Sequence, residues 1–330
     1  MKETTQWRTL LILGVIALLT GYLQAQGISA PANAAEVETL LLDPIDTERN
    51  RTVPVKIYRT EGEKPKPIVL FSHGLGGSRE GNPYLGTHWA RSGYIAVFLQ
   101  HPGTDRGVWE NEKPRNRLFA LKAATGAKGA LDRFQDVPFV IDQLEAWNAD
   151  EEHPLHGKLD LEHIGLAGHS YGAVTTLAMT DRSYPGNRTL HEKRIDAFLP
   201  MSPQPGKRGS PRDHFGNVSV PVLCMTGTED GSPIDPDMHP SMRRKVYEAF
   251  PPGDKFQLVF EGAHHFAFGE GGDGFKLRQR NPNHHPAILA ISTKFWDAYL
   301  KGDEAAKAWL QSDQPREACS LDEKDAWEWK

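Results

Sequence analysis

Cysteine is nearly absent from this chain: two residues, Cys224 and Cys319, among 330. Two thiols make no disulfide scaffold, so the fold must rest on a hydrophobic core, which a chain of this length can bury. Cys224 lies in the apolar run Val220–Met225, where a buried thiol is expected, and Cys319 in a polar C-terminal stretch. An excess of one charge is also missing. Thirty-eight Lys and Arg face 43 Asp and Glu, for a net of −5, and the cations are scattered rather than striped. That argues against a polyanion-binding face, and no nucleic-acid partner is expected. There is no internal repeat. His153 with His156, and His284 with His285, have no cysteine or carboxylate completing a set at ligand spacing, so no metal or other cofactor is expected.

The one charge-free apolar run of any length is N-terminal. Lys2 and Arg8 precede the leucine-rich stretch Leu10–Leu23, and small residues follow, with Ala32-Asn33-Ala34 a candidate cleavage site and Leu23-Gln24-Ala25 a weaker one. This layout predicts a secretory signal peptide over residues 1–34 and a mature chain that works outside the cytoplasm. The run is short for a membrane span of about 20 residues. No stable membrane insertion is therefore expected after cleavage, and no cysteine follows that would mark a lipoprotein.

Further along, short apolar runs alternate with amphipathic stretches. Val53–Tyr58, Pro67–Gly74, Tyr94–Gln100, His163–Gly168, Ala197–Ser202, Val220–Gly227 and Phe256–Gly262 read as strands, several apolar on both faces. Asp136–Trp147 and Ile288–Leu300 carry apolar stripes at helical spacing. The alternation predicts an α/β fold with a mostly parallel sheet covered on both faces. One domain over 35–330 is the simplest organisation, with its core at about 53–300 and a polar tail over 302–330 that ends loosely. His101–Arg133 and Gly269–Asn283 break the rhythm and read as long loops.

The chemistry concentrates in four places. Gly168-His169-Ser170-Tyr171-Gly172 joins a strand to a helix, and a G-x-S-x-G at such a corner lifts a serine hydroxyl to the end of a sheet. A serine needs a histidine base held by a carboxylate, and in this arrangement they follow in the order Ser, Asp, His. Asp230, three residues after Gly227 in a turn leaving a strand, is the expected acid, with Asp235 as its alternative and Glu229 a solvated neighbour. His265 is preferred to His264 as the base, since the residue before the aromatic usually faces such a site. Upstream, "FSHGLGGSREG" (Phe71–Gly81) can turn backbone N–H groups toward a developing oxyanion. Leu75 is assigned as one donor and Tyr171 as the other.

"FSHGLGG", "GHSYGA", "GTEDGSP" and "GAHHF" together resemble an α/β-hydrolase. More narrowly, the chain is similar to dienelactone-hydrolase-like proteins related to platelet-activating-factor acetylhydrolases and secreted cutinase-like polyesterases, over roughly Val53 to Leu300. Two departures matter. Dienelactone hydrolases proper use a cysteine where Ser170 stands. The acetylhydrolases take their acid from the strand after the nucleophile helix, which here ends "LPMSPQPG" (Leu199–Gly206) without a carboxylate, so the acid falls to Asp230 one strand later. The resemblance implies a secreted serine carboxylesterase needing no cofactor, acting on a small-molecule or polymeric ester, and a monomer is expected. A polyesterase, a phospholipid-acetyl hydrolase or an acyltransferase on the same triad are the alternatives, followed by a silent binding module. Trp109, Phe119, Tyr171 and Phe266 could line an acyl pocket, and Arg115 and Arg117 could favour an acidic ester.

Overall fold

Strands that are apolar on both faces cannot sit at a surface, and here they occupy the middle of one sheet. The computed structural model describes residues 35–186, 188–206, 209–269 and 280–330. Its strands are β1 (Val37–Leu42), β2 (Ile45–Asp46), β3 (Arg51–Thr52), β4 (Val55–Thr60), β5 (Lys66–Ser72), β6 (Ile95–Leu99), β7 (Leu159–His169), β8 (Ala197–Met201), β9 (Val222–Glu229), β10 (Lys255–His264) and β11 (Ala326–Trp329). The helices are α1 (Pro83–Arg91), α2 (Pro114–Ala124), α3 (Ala127–Ala149), α4 (Tyr171–Ala178), α5 (Pro211–Phe215), α6 (Pro240–Ala249), α7 (His284–Leu300), α8 (Glu304–Leu310) and α9 (Gln314–Ala318), with 3-10 turns at Arg106–Val108 and His265–Phe268.

Among the described residues nine strands form one sheet in the order β1-β4-β6-β5-β7-β8-β9-β10-β11, and β2 pairs with β3 apart from it. Neighbours from β6 through β10 run parallel, while β4 and β11 run against them. Alternation along each strand divides the core in two. Val69 and Phe71 of β5 join Trp89 of α1 and Ile288, Phe295 and Trp296 of α7 on one face. Ile68 and Leu70 join Val137, Ile141 and Leu144 of α3, Leu177 of α4 and Val246 of α6 on the other. The fold is thus mixed α/β, a large and mostly parallel sheet between two helical layers, and Val37–Lys330 forms one compact unit.

The winding reverses once. From β5 the chain adds β6 on one side, then returns to place β7 on the other side of β5 and continues outward to β10. A crevice opens at the carboxyl ends of strands where the winding reverses. Those ends are Ser72 and His169, one residue short of Ser170.

Three expectations change. His101–Arg133 is mostly helical rather than a loop, with the 3-10 turn, all of α2 and the start of α3 inside it. The signal was weak because none of the α2 residues is buried, so no apolar stripe betrays it. The tail is not loose: β11 pairs antiparallel with β10, and Trp327 is buried and stacked on Phe256. The core also begins earlier than residue 53, because β1 pairs with β4. Both cysteines are buried and unbridged. The leader expected over residues 1–34, and residues 270–279 of the second loop, lie outside the described residues. Among the described residues no helix is long and apolar enough to cross a membrane.

Candidate active site

Ser170 is the N-cap of α4 and sits at φ 57°, ψ −113°. A non-glycine residue there is strained by about 1–3 kcal/mol, so the corner must be held by its surroundings. The flanking glycines show what holds it. A Cβ at Gly172 would stand 1.8 Å from the Ser72 carbonyl oxygen, and one at Gly168 would stand 2.4 Å from the Gly172 oxygen. Only glycine lets the end of β5, the end of β7 and the first turn of α4 approach so closely. The serine that results is half-buried.

Asp230 and His265 are delivered by the next two strand ends. β9 stops at Glu229, leaving Glu229 exposed and Asp230 fully buried. β10 pairs regularly with β9 until Phe260, where the register shifts; pairing resumes at His264 opposite Glu229. The bulge re-aims the chain so that His265 turns inward. His265 Nε2 lies 2.8 Å from Ser170 Oγ and its Nδ1 lies 2.7 Å from Asp230 Oδ1. Ser170, His265 and Asp230 therefore form one continuous hydrogen-bonded chain. His264 instead caps the following 3-10 turn, accepting from the Phe266 amide at 3.2 Å.

Electrostatics set the protonation states. Burial pushes the Asp230 carboxyl up, but the hydrogen bond and charge of His265, with the charge of Arg243, outweigh it and hold the acid below its ordinary value. Thr226 Oγ1 donates to the second carboxylate oxygen at 2.8 Å. For His265, burial outweighs its partnership with Asp230 and lowers the imidazole below its usual value, with Arg243 adding to the effect. The ring is thus neutral at neutral pH, with Nδ1–H donated to Asp230 and Nε2 free to accept from the serine.

The upstream turn lies beside the serine. A Cβ at Gly74 would stand 3.4 Å from Ser170 Cβ. The next residues are tied down: Gly76 N–H donates to the Thr104 carbonyl at 2.8 Å, Gly77 N–H to that of Gly74 at 3.0 Å, and Trp109 Nε1 to the Gly76 carbonyl at 2.8 Å. The amides of Leu75 and Tyr171 donate to no backbone carbonyl among the described residues. Two N–H groups without backbone partners therefore adjoin Ser170 along the chain or across the turn: that of Leu75, next to Gly74, and that of Tyr171, at the first position of α4.

Several side chains at the site went unread. Arg243 of α6 is wholly buried; its Nε contacts Asp230 Oδ1 at 3.0 Å and donates to the Asp230 carbonyl at 2.6 Å, and Nη1 donates to the Ser202 carbonyl at 2.7 Å. His169 Nε2 donates to the His265 carbonyl at 3.0 Å and so anchors the loop of His265 to the strand that leads into Ser170. Beneath the turn runs a second chain of the same residue types. Ser72 Oγ lies 2.9 Å from His101 Nε2, and His101 Nδ1 lies 2.9 Å from Asp136 Oδ2. All three are fully buried, and Asp136 also accepts from Arg49 and Arg51. Ser72 is closed to solvent, so its hydroxyl is not presented at the surface as that of Ser170 can be. A signal for Arg243 existed: with Val246, Tyr247 and Phe250 it occupies the apolar stripe of an amphipathic helix, where a charge needs a buried partner.

Of the proposed pocket residues, Phe119 is 78% exposed and Arg115 lies at the surface, so neither is enclosed. Arg117 packs over Trp109. Tyr171 is buried beneath Arg133, and Phe266 stands edge-on to His265. His284 and His285 pack against Phe260 and Tyr84, and His153 stacks on Trp147. No protein-family model and no curated protein sequence matches the chain.

Proposed function

We propose that this chain is a serine hydrolase of the α/β-hydrolase type that cleaves carboxylic esters through an acyl-enzyme. The observation that carries the proposal is the continuous Ser170–His265–Asp230 chain, its serine half-buried at the strand ends where the sheet's winding reverses. Support for the fold type comes from the strand–turn–helix corner that strains Ser170, with the acid and base following from later strand ends.

Ser170 Oγ attacks the ester carbonyl while its proton passes to His265 Nε2. Asp230 keeps the ring in the required tautomer and stabilises the imidazolium. The Leu75 and Tyr171 amides donate to the tetrahedral oxyanion, donors already in place. Collapse breaks the bond to the alcohol, which leaves with the proton from Nε2. Water then attacks the acyl-enzyme, gives a proton to the same nitrogen, and frees the acid and the serine. Polyester and phospholipid-acetyl hydrolysis, or transfer to an added alcohol, run through the same intermediate.

The test is hydrolysis of p-nitrophenyl esters from acetate to long-chain, by wild type beside Ser170→Ala, His264→Ala and His265→Ala. Wild type is expected to cleave short esters, the Ser170 and His265 variants to fall to background, and His264→Ala to keep most activity. A Ser170→Ala protein as active as wild type would overturn the proposal. Fluorophosphonate labelling of folded protein separates a bulkier substrate, where Ser170 is labelled, from a silent binding module, where it is not.

A further inference from the structure

Arg133 of α3 is wholly buried, yet among the described residues no carboxylate stands within ion-pair distance of it. The nearby Asp136 is engaged by Arg49, Arg51 and His101. A buried guanidinium spent on neutral oxygens is costly, so its partners are informative. Nε donates to Thr175 Oγ1 at 3.0 Å and Nη1 to Thr104 Oγ1 at 2.9 Å. Nη2 donates to Ser72 Oγ at 3.0 Å and to the His73 carbonyl. The guanidinium carbon lies 4.6 Å from the centre of the Tyr171 ring.

These contacts fall on the segments that carry the Leu75 and Tyr171 amides. The His73 carbonyl is two residues before Leu75. Thr104, whose carbonyl holds the Gly76 N–H, grips the turn on the far side of Leu75. Thr175 and Tyr171 are one turn apart on α4, so the same group touches the element that carries the second amide. The guanidinium thus bridges the end of β5 that leads into the Gly74–Gly77 turn, Thr104 beside that turn, and α4, and lysine could not satisfy four oxygens from one point.

We propose that Arg133 is the positioning residue of the oxyanion site, fixing the spacing between the Leu75 and Tyr171 amides; this rests on the acyl-transfer reading above. Arg133 touches no reacting atom. It acts through the turn on one side and α4 on the other, and a donor displaced by a fraction of an ångström loses its hold on the oxyanion more than its hold on the substrate.

The experiment compares an ester with its thionoester, in which sulfur replaces the carbonyl oxygen. A sulfur anion is larger and a poorer acceptor, so the ester-to-thionoester rate ratio reports how well two fixed amides hold oxygen. In Arg133→Lys, kcat for the ester is expected to fall about 10–100-fold with KM nearly unchanged, and the ratio to shrink several-fold. Thr175→Val, which removes one partner of the guanidinium, is expected to move the ratio the same way by less, and it decides the question if Arg133→Lys does not fold. A folded Arg133→Lys enzyme with wild-type kcat, or with lower kcat and an unchanged ratio, would overturn the proposal and leave the triad standing. If wild type itself neither turns over ester nor takes the fluorophosphonate at Ser170, the acyl-transfer reading falls, and this proposal with it.

Discussion

At the scale of single residues, burial decides what a Ser–His–Asp chain can do. Ser72–His101–Asp136 and Ser170–His265–Asp230 have similar internal distances, but only the second ends on a serine that is not fully buried. Asp230→Asn leaves the shape intact and favours the wrong imidazole tautomer, so kcat is expected to fall by about 10⁴, the scale known for that change in a serine protease. Steady-state kinetics beside thermal unfolding checks that activity goes while the fold stays. Arg243 invites a second test. Burial and this guanidinium hold the His265 imidazole below its usual 6.5, so the ring stays unprotonated further into acid. The acid limb of kcat/KM is then expected below that of free imidazole, and Arg243→Met should move it upward. A limb that stayed put in the variant would show that Arg243 does not tune the base. Ser170, Asp230, His265 and the Leu75 turn were legible in the sequence because each sits in a glycine-marked strand end. Arg243 and Arg133 were not, because a stripe is read from its apolar members and a charge among them looks like an interruption.

At the scale of elements, the least legible pieces are those that borrow their order from a neighbour. β11 is four residues long, and its register comes from β10 rather than from its own alternation. Its anchor is Trp327, stacked on Phe256 and donating from Nε1 to the Ser312 carbonyl at 3.1 Å. Trp327→Ala is expected to cost about 3 kcal/mol by the usual scale of large-to-small core substitutions. Urea unfolding measures this; a loss under about 0.5 kcal/mol, as at an ordinary surface site, would mean that the strand is ornamental. The corner before α4 has no such tolerance. Gly172→Ala would force a methyl group into the Ser72 carbonyl. It is expected to abolish soluble expression or activity, and a variant with normal stability and turnover would refute that view of the corner.

At the scale of the whole molecule, alternating apolar runs made the α/β class and the mostly parallel sheet legible. Strand order was not, since periodicity says which way a side chain faces and not which strand lies beside it. The sheet also buries several imidazoles in neutral form. Burial, reinforced by Arg133, lowers His101 to about 4, and burial with His265 lowers His169 to about 3. In the unfolded chain these rings take up a proton near pH 6.5, whereas the native ones do so only at the lowered values. Stability should therefore be intact above about pH 6.5 and decline steadily as pH falls toward the lowered values. Asp230, whose carboxyl is depressed rather than raised, gives up its share in stronger acid, from the ordinary carboxylate range down through its depressed value. Urea midpoints at pH 7.5, 6 and 5 should step downward, and a level series would contradict the neutral assignment of these rings.

The bulge in β10 has a kinetic corollary. His265 reaches Ser170 only after β10 has paired with β9, and β9 with β8, across a sequence separation of 95 residues. Long-range parallel pairing is slow to form. In refolding from denaturant, helical signal should return first and reactivity at Ser170 last, which makes the serine a clock for completion of the sheet.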